Sequence, residues 1–383
     1  MWQALELGNS STAHPRSFSS QAVDSKDLRQ FIRLLADAGQ LVRIREMVDW
    51  RFELGRIARV RHIPLLFENI RDYPRARLFT NGLCSPRTIA LALGLEPFHE
   101  RRNLLEAASR AGSPIKPELV ETAPVLDNIV EDKQIDLLKL PVPHWNSRDA
   151  GRYLGTWHIN VTNDPESGAR NVGVYRMQLL GPKRATVSAS PRSHLARHFA
   201  KAEREGQALH MAVAIGVSEP VLMAAAAACP DETDEFELAG GLQGQAVQLL
   251  RCKTVDLEVP ANSEIVIEGV IRPGTRVKDG PYFDYTGNTN TNRQALLFEA
   301  TRLMFRNDPI FRGTSIGVAG AEDHQLFAFL AQLNLVDFHG SRLKQTVQNT
   351  MLRQRRFRAF QLSGKTGVAV SVLKTILRPA AKS

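Results

Sequence analysis

The chain has 383 residues, 43% of them hydrophobic and 23% charged, which excludes a mainly disordered chain and gives room for two or three globular domains. Its longest apolar run, Val221–Cys229, is about half the ~18 residues a membrane-spanning helix needs. The net charge of +9 belongs to the tail: residues 341–383 hold ten of the 49 Lys/Arg and none of the 40 Asp/Glu, so residues 1–340 carry 39 against 40, a net charge of −1, and attraction for polyanions is expected only at the tail.

Residues 1–24 are Ser- and Ala-rich without periodicity and read as a disordered extension. Ser25 is expected to cap a helix carrying Leu28, Phe31, Ile32 and Leu35 on one face and stopped by Gly39. Strand-like pieces at Leu41–Ile44 and Pro64–Phe67 and a helix at Pro86–Leu93, with Ser85 before it and Gly94 after it, complete an N-terminal α/β domain over 25–125. Residues 110–150, dense in proline, read as a connector into a second domain at 126–320. There the pattern turns to strands at Trp157–Thr162, Val172–Leu179, His210–Ile215, Gln248–Val259 and Glu264–Ile271. One clear helix interrupts them, capped by Ser193, faced with Leu195, Phe199 and Ala202, and ended by Gly206. The fold class expected is α+β with a β-rich core. Three widely spaced cysteines, Cys84, Cys229 and Cys252, exclude a disulfide scaffold or a zinc–cysteine site and fit a reducing, cytoplasmic setting.

Four segments could carry chemistry. In Asn171-Val172-Gly173-Val174-Tyr175-Arg176, five positions separate Asn171 from Arg176, which puts them on opposite faces of a strand unless a bulge or turn intervenes. His194 and His198 stand at i and i+4, either a two-imidazole metal face or one exposed and one partly buried histidine. The acidic run Asp231–Glu235 is either a solvated loop or the source of one inward carboxylate for a hard cation. The loop Asp279–Gly287 is either a turn or a site in which one carboxylate sits beside Arg176 and another in apolar surroundings. Composition alone favours the structural reading of each.

The order and spacing of these segments resemble the UbiD-type, prenylated-flavin-dependent decarboxylase family over about residues 27–324. The resemblance is carried by Asp27-Leu28-Arg29-Gln30-Phe31, Leu66-Phe67-Glu68-Asn69, Asp164-Pro165-Glu166-Ser167-Gly168, Val259-Pro260-Ala261-Asn262-Ser263-Glu264 and Asp308-Pro309-Ile310, in that order. It implies a split-barrel-like flavin-binding core and prenylated FMN as cofactor. Asn171, His194 and Glu235 would hold manganese or magnesium at its phosphate, with potassium as a further candidate cation, and His198 would not be a ligand. Arg176 matches the arginine that orients the substrate carboxylate. Asp279 matches the acid paired with that arginine, and Asp284 the acid that protonates the carbon left by carbon dioxide.

The activity so implied is reversible, non-oxidative decarboxylation of an α,β-unsaturated or (hetero)aromatic carboxylic acid. A flavin prenyltransferase would supply the cofactor, and a homodimer or higher homo-oligomer is the expected assembly, with no membrane partner. The chain departs from the family pattern at Asp279, where Glu is more familiar and one carbon–carbon bond, about 1.5 Å, of reach is lost, and in its short basic region 321–383, which reads as a largely missing C-terminal domain. That region leaves open a docking helix, a solvated arm, a distinct ending or a truncated frame, and with it the alternative of a non-catalytic scaffold subunit. Nucleic-acid binding through the Arg/Phe strip Met351–Phe360 ranks well behind.

Overall fold

The computed structural model describes residues 27–230, 233–318 and 320–335; the expected extension 1–24, Ser25, the start of the acidic run and the basic tail lie outside them. Helix α1 (Leu28–Asp37) buries Leu28, Phe31, Ile32 and Leu35, and its cap is Asp27 rather than Ser25: the Asp27 carboxylate accepts the Gln30 N–H at 2.8 Å. Gly39, at φ +63°, ends it. Strand β1 (Val42–Ile44), helix α2 (Glu53–Val60), β2 (Leu65–Phe67) and β3 (Arg77–Thr80) follow. Helix α3 (Pro86–Ala92) starts in a capping box between Ser85 and Thr88, and α4 (Glu100–Ala111) closes this unit.

The proline-rich connector is not structureless. It carries β4 (Glu118–Leu119) and β5 (Asn128–Glu131) before β6 (Tyr153–Gly155), β7 (His158–Asn163), β8 (Arg170–Gly173), β9 (Met177–Gln178) and β10 (Arg184–Val187). Then come α5 (His194–Arg204), β11 (Leu209–Ile215), α6 (Glu219–Ala225), α7 (Glu235–Gln243), β12 (Gln248–Arg251), β13 (Glu258–Pro260), the long pair β14 (Ile265–Phe283) and β15 (Thr289–Phe305), β16 (Ile310–Arg312) and α8 (Glu322–Gln332). The hydrophobic pattern marks one helix where three stand, α5 to α7. All seven residues of α6 and most of α7 are buried, and a helix apolar all round lacks the striped pattern that marks a surface helix. The strand expected over 248–259 is two strands, separated by a turn in which the Cys252 N–H reaches the Leu257 carbonyl.

The central sheet is antiparallel in the order β10-β15-β14-β11-β7-β8, with β5 also on β15. A smaller sheet, β1-β2-β3-β16, is completed by a strand from far along the chain, β16 lying parallel to β3. Helix α8 also returns to the body, burying Leu326 and Leu330 in the larger core cluster. Its Glu322 meets Arg312, and Glu322 also accepts the Asn81 and Leu83 N–H groups at 3.0 and 2.7 Å. The α+β architecture with a β-rich core is therefore as the sequence implies, while the N-terminal unit draws on residues past 309.

Candidate active site

Asn171, Arg176, His194, Glu235 and Asp284 line one open cavity of ≈ 1090 Å³, with Asp279 just behind its wall. The strand between Asn171 and Arg176 breaks: β8 ends at Gly173, the Tyr175 N–H turns to Asn160 Oδ1 at 3.2 Å, and the chain resumes as β9 at Met177. The Tyr175 ring folds against Gly173, where a Cβ would stand 2.6 Å from a ring carbon. That break resolves the parity problem and turns both side chains to the same space.

On the first side, Asn171 is 3% exposed and its Nδ2 donates to Thr162 Oγ1 at 3.3 Å. Thr162 Oγ1 is in turn 3.0 Å from Nδ1 of the buried His198. Burial holds the His198 imidazole down at about 4, so it is neutral and shares one hydrogen bond with the Thr162 hydroxyl. The amide is held at both ends, its Oδ1 accepting the Tyr175 hydroxyl at 3.5 Å, and His198 has a supporting place behind Thr162. His194 is the first residue of α5, whose N-cap Ser193 accepts the Ala196 N–H. Glu235 is the first residue of α7, capped by Asp234, whose carboxylate accepts the Phe236 N–H at 2.8 Å. The acidic run thus supplies both a cap and an inward carboxylate.

Glu235 is 4% exposed, one of its oxygens accepts the Val172 N–H at 2.9 Å, and burial pushes it up to about 8. A buried carboxyl of this kind becomes an anion readily only beside a cation. An amide oxygen, a carboxylate and an imidazole together suit a hard divalent ion such as manganese or magnesium, so the residues fit the implied group. Among the described residues no three His, Cys, Asp or Glu side chains are grouped to hold a metal; the candidate set depends on the Asn171 amide.

On the second side, Arg176 Nε donates to Asp279 Oδ1 at 2.6 Å, Nη2 lies 2.6 Å from the same oxygen, and Thr186 donates to Oδ2 at 2.6 Å. The shorter acid therefore reaches its arginine. Asp279 is fully buried, and burial raises its pKa against the opposing pull of Arg176 and Thr186. The Arg176 guanidinium also stands 4.8 Å over the Tyr282 ring. Asp284 is on the cavity wall without an ion pair to Arg176; its Oδ1 accepts the Thr286 N–H at 2.9 Å and hydroxyl at 2.5 Å.

Sequence reasoning passed over three neighbours. Asp149, in the connector, accepts the Phe283 N–H at 2.8 Å and the Asn146 N–H at 3.2 Å, and burial lifts it to about 6. Tyr282 is buried against Tyr153 at 4.3 Å between ring centres. His324 of α8 sits 2.7 Å from the Tyr285 carbonyl oxygen. Tyr282 lies within the Asp279–Gly287 loop, where the two carboxylates drew the reading, while Asp149 and His324 lie in no motif that could have marked them.

Both parts of the chain are similar to known proteins. Residues 32–108 match the N-terminal domain of 3-octaprenyl-4-hydroxybenzoate carboxy-lyase, and residues 118–319 match the Rift-related domain of the same carboxy-lyase. An uncharacterized protein of Aquifex aeolicus is 34% identical over 350 residues, 82% of this chain and 71% of that protein. An evolved dimeric form of the UbiD-class enzyme HmfF from Pelotomaculum thermopropionicum, in complex with prFMN, is similar with a TM-score of 0.74 at 35% identity, over 79% of this chain and 70% of that one. The vanillic acid decarboxylase ShVdcCD of Sedimentibacter hydroxybenzoicus, in closed form, gives 0.76 at 30% identity, over 79% and 67%. Relatives from Archaeoglobus fulgidus and Synechocystis are matched over 65% and 63% of their own lengths, so the chain spans about two thirds of those proteins. With both domains matched in order, the chain belongs to the UbiD family.

Proposed function

We propose that the protein removes carbon dioxide, without net oxidation, from an α,β-unsaturated or aromatic carboxylic acid, using prenylated FMN held in the cavity that Asn171, Arg176, His194, Glu235 and Asp284 line. The observation that carries this reading is Arg176, paired with Asp279 behind it, lining the same cavity as Asn171, His194 and Glu235. Asn171, His194 and Glu235 would hold a divalent ion against the cofactor phosphate, and the cofactor when bound supplies an acceptor for the electron pair released as carbon dioxide leaves.

Arg176, anchored from behind by Asp279, offers its remaining edge to the substrate carboxylate. Thr186 and Tyr282 restrict the guanidinium to one orientation, so little of the positioning is left to the substrate. Asp284 delivers a proton to the carbon that has lost its carboxylate and recovers one from water. A homodimer is the assembly carried over from the dimeric relative.

Native mass spectrometry of protein co-expressed with a flavin prenyltransferase tests this reading, followed by carbon dioxide release from a panel containing cinnamic, 2-furoic and 4-hydroxybenzoic acids. A bound prenylated flavin, one divalent ion and turnover of at least one acid are expected. Apoprotein alone under those conditions would overturn the proposal.

A further inference from the structure

Helix α8 begins with three buried ionisable residues, and after Glu322, which pairs with Arg312, come two to which the proposed function gives no part. Asp323 and His324 are 1% and 2% exposed. A carbonyl oxygen can only accept, so His324 Nε2 carries the proton and donates to the Tyr285 carbonyl at 2.7 Å. His324 Nδ1 is buried without a partner, which leaves the Tyr285 carbonyl as the polar contact of this ring beside Asp323, 3.8 Å from Nε2. Tyr285 is held at its other end as well: its ring stands edge-on to Phe327, one turn further along α8, at 5.9 Å.

Asp323 acts on the same loop by a second route. Its Oδ2 accepts the Gly317 N–H at 3.2 Å. Gly317, at φ +86°, lies so close beneath the loop that an added Cβ would stand 2.4 Å from the Asp284 carbonyl oxygen and 2.7 Å from the Phe283 ring. The Asp284 loop is otherwise tied mainly to itself, through Asp284 N–H to Asn288 O at 2.9 Å and Gly287 N–H to Asp284 O at 3.0 Å. Internal bonds of that kind set the shape of a turn but not its place relative to Arg176. The place comes from Asp149 on one side, through Phe283, and from α8 on the other.

We propose that His324 and Asp323 are positioning residues that fix the Asp284 loop against the cavity, His324 by holding the Tyr285 carbonyl and Asp323 by holding the Gly317 shelf on which Asp284 rests. The inference deepens the proposed function and rests on it for the role of Asp284. Neither residue is required to touch substrate. Losing the His324 contact shifts the loop and with it the carboxyl that delivers the proton, while the carboxylate-binding edge of Arg176 stays in place. The signature is therefore a fall in kcat with KM retained.

The test uses the full chain co-expressed with a flavin prenyltransferase, comparing wild type with His324→Leu and His324→Gln; glutamine presents an amide N–H in place of Nε2–H. Hydrogen–deuterium exchange of peptides covering residues 282–290 reads the loop directly. Steady-state kinetics on whichever panel acid the wild type turns over reads the consequence. His324→Leu is expected to speed loop exchange about tenfold or more and to lower kcat by roughly ten- to a hundredfold, with KM changed by less than about twofold. His324→Gln should recover most of both. Should His324→Leu lower the folded yield, Phe327→Leu loosens the other end of Tyr285 and carries the same comparison. Unchanged loop exchange, or faster exchange with kcat intact, overturns this inference alone. Absence of turnover by the wild type on every acid of the panel overturns the functional reading and the kinetic half of the inference with it, and the exchange data then decide whether the loop is held as described.

Discussion

Arg176 and Asp279 meet through one oxygen. Both Nε and Nη2 of the arginine lie 2.6 Å from Asp279 Oδ1, while Oδ2 takes the Thr186 hydroxyl. The arginine side chain is 14% exposed and the carboxylate is fully buried, so the pair sits where an unpaired charge is costly. Replacing Asp279 with Asn should destabilise the protein by about 3 kcal/mol, the usual effect of breaking a buried pair. It should also lower kcat/KM by on the order of a hundredfold through misorientation of the guanidinium, without loss of bound flavin. Urea unfolding and flavin absorbance on the same preparation separate the two effects. A variant as stable and as active as wild type would remove the pair from the mechanism.

The Asn171–Thr162–His198 chain makes a second prediction. Thr162 Oγ1 receives the Asn171 amide hydrogen and faces His198 Nδ1. Thr162→Val keeps the shape and removes both bonds, letting the amide rotate. Supporting contacts of this kind are worth about ten- to a hundredfold in metal affinity, so manganese titration should show a weakening of that size. His198→Asn should weaken metal binding less than His194→Asn, because His198 supports the amide and is not itself a ligand in this reading. Equal loss from the two histidine variants would count against the assignment.

The parts of the fold legible in the sequence are those with one face in water. The four buried positions of α1 and the cap and apolar face of α5 follow from helical spacing, and the Ser85 cap of α3 follows from its local motif. Helices α6 and α7 are buried on every side and carry no stripe to read. The pairing of β16 with β3 joins residues more than two hundred positions apart and has no local signal. For the site, the family resemblance singled out Asn171, Arg176 and Asp279, which the fold brings to or beside one cavity, but the turn at 174–176 that brings the first two together was visible only as a parity conflict. Asp149, Tyr282, Asp323 and His324 act by holding backbone or by packing, work that any of several residue types could do at those positions.

Gly317 offers a test that needs no substrate. Its φ is +86°, and a Cβ added there would stand 2.4 Å from the Asp284 carbonyl oxygen. Alanine therefore meets two penalties, backbone strain and a clash with main chain that cannot rotate away. Gly317→Ala should cost about 2–3 kcal/mol, measured as a lowered urea midpoint. Gly168, also at positive φ but with open space around it, should cost about 1 kcal/mol on the same change, since only the strain remains. Equal effects at the two sites would show that the close approach of Gly317 to the loop is not a constraint.

The buried triad of Arg312, Glu219 and Glu322 predicts a pH dependence of stability. One arginine faces two carboxylates, Glu219 at 2.9 Å and Glu322 closer still, all three side chains being at most 1% exposed. Burial, with the charge of Glu322 adding to it and Arg312 opposing, pushes Glu219 up to about 7 from an ordinary 4.5. A folded value above the unfolded one means that the proton stabilises the folded state. The contribution is fully present below about pH 4.5 and is lost as pH rises through about 7. Glu219→Gln keeps an acceptor for Arg312 and removes the titration. Between pH 5 and pH 8 the wild type should therefore lose on the order of 2 kcal/mol more stability than the Gln variant. Arg312→Met, which strands two buried acids, should destabilise at pH 8 by about 3–5 kcal/mol and recover partly on acidification. Urea midpoints at half-unit pH steps decide the matter, and parallel curves for wild type and Glu219→Gln would show that Glu219 stays ionised throughout.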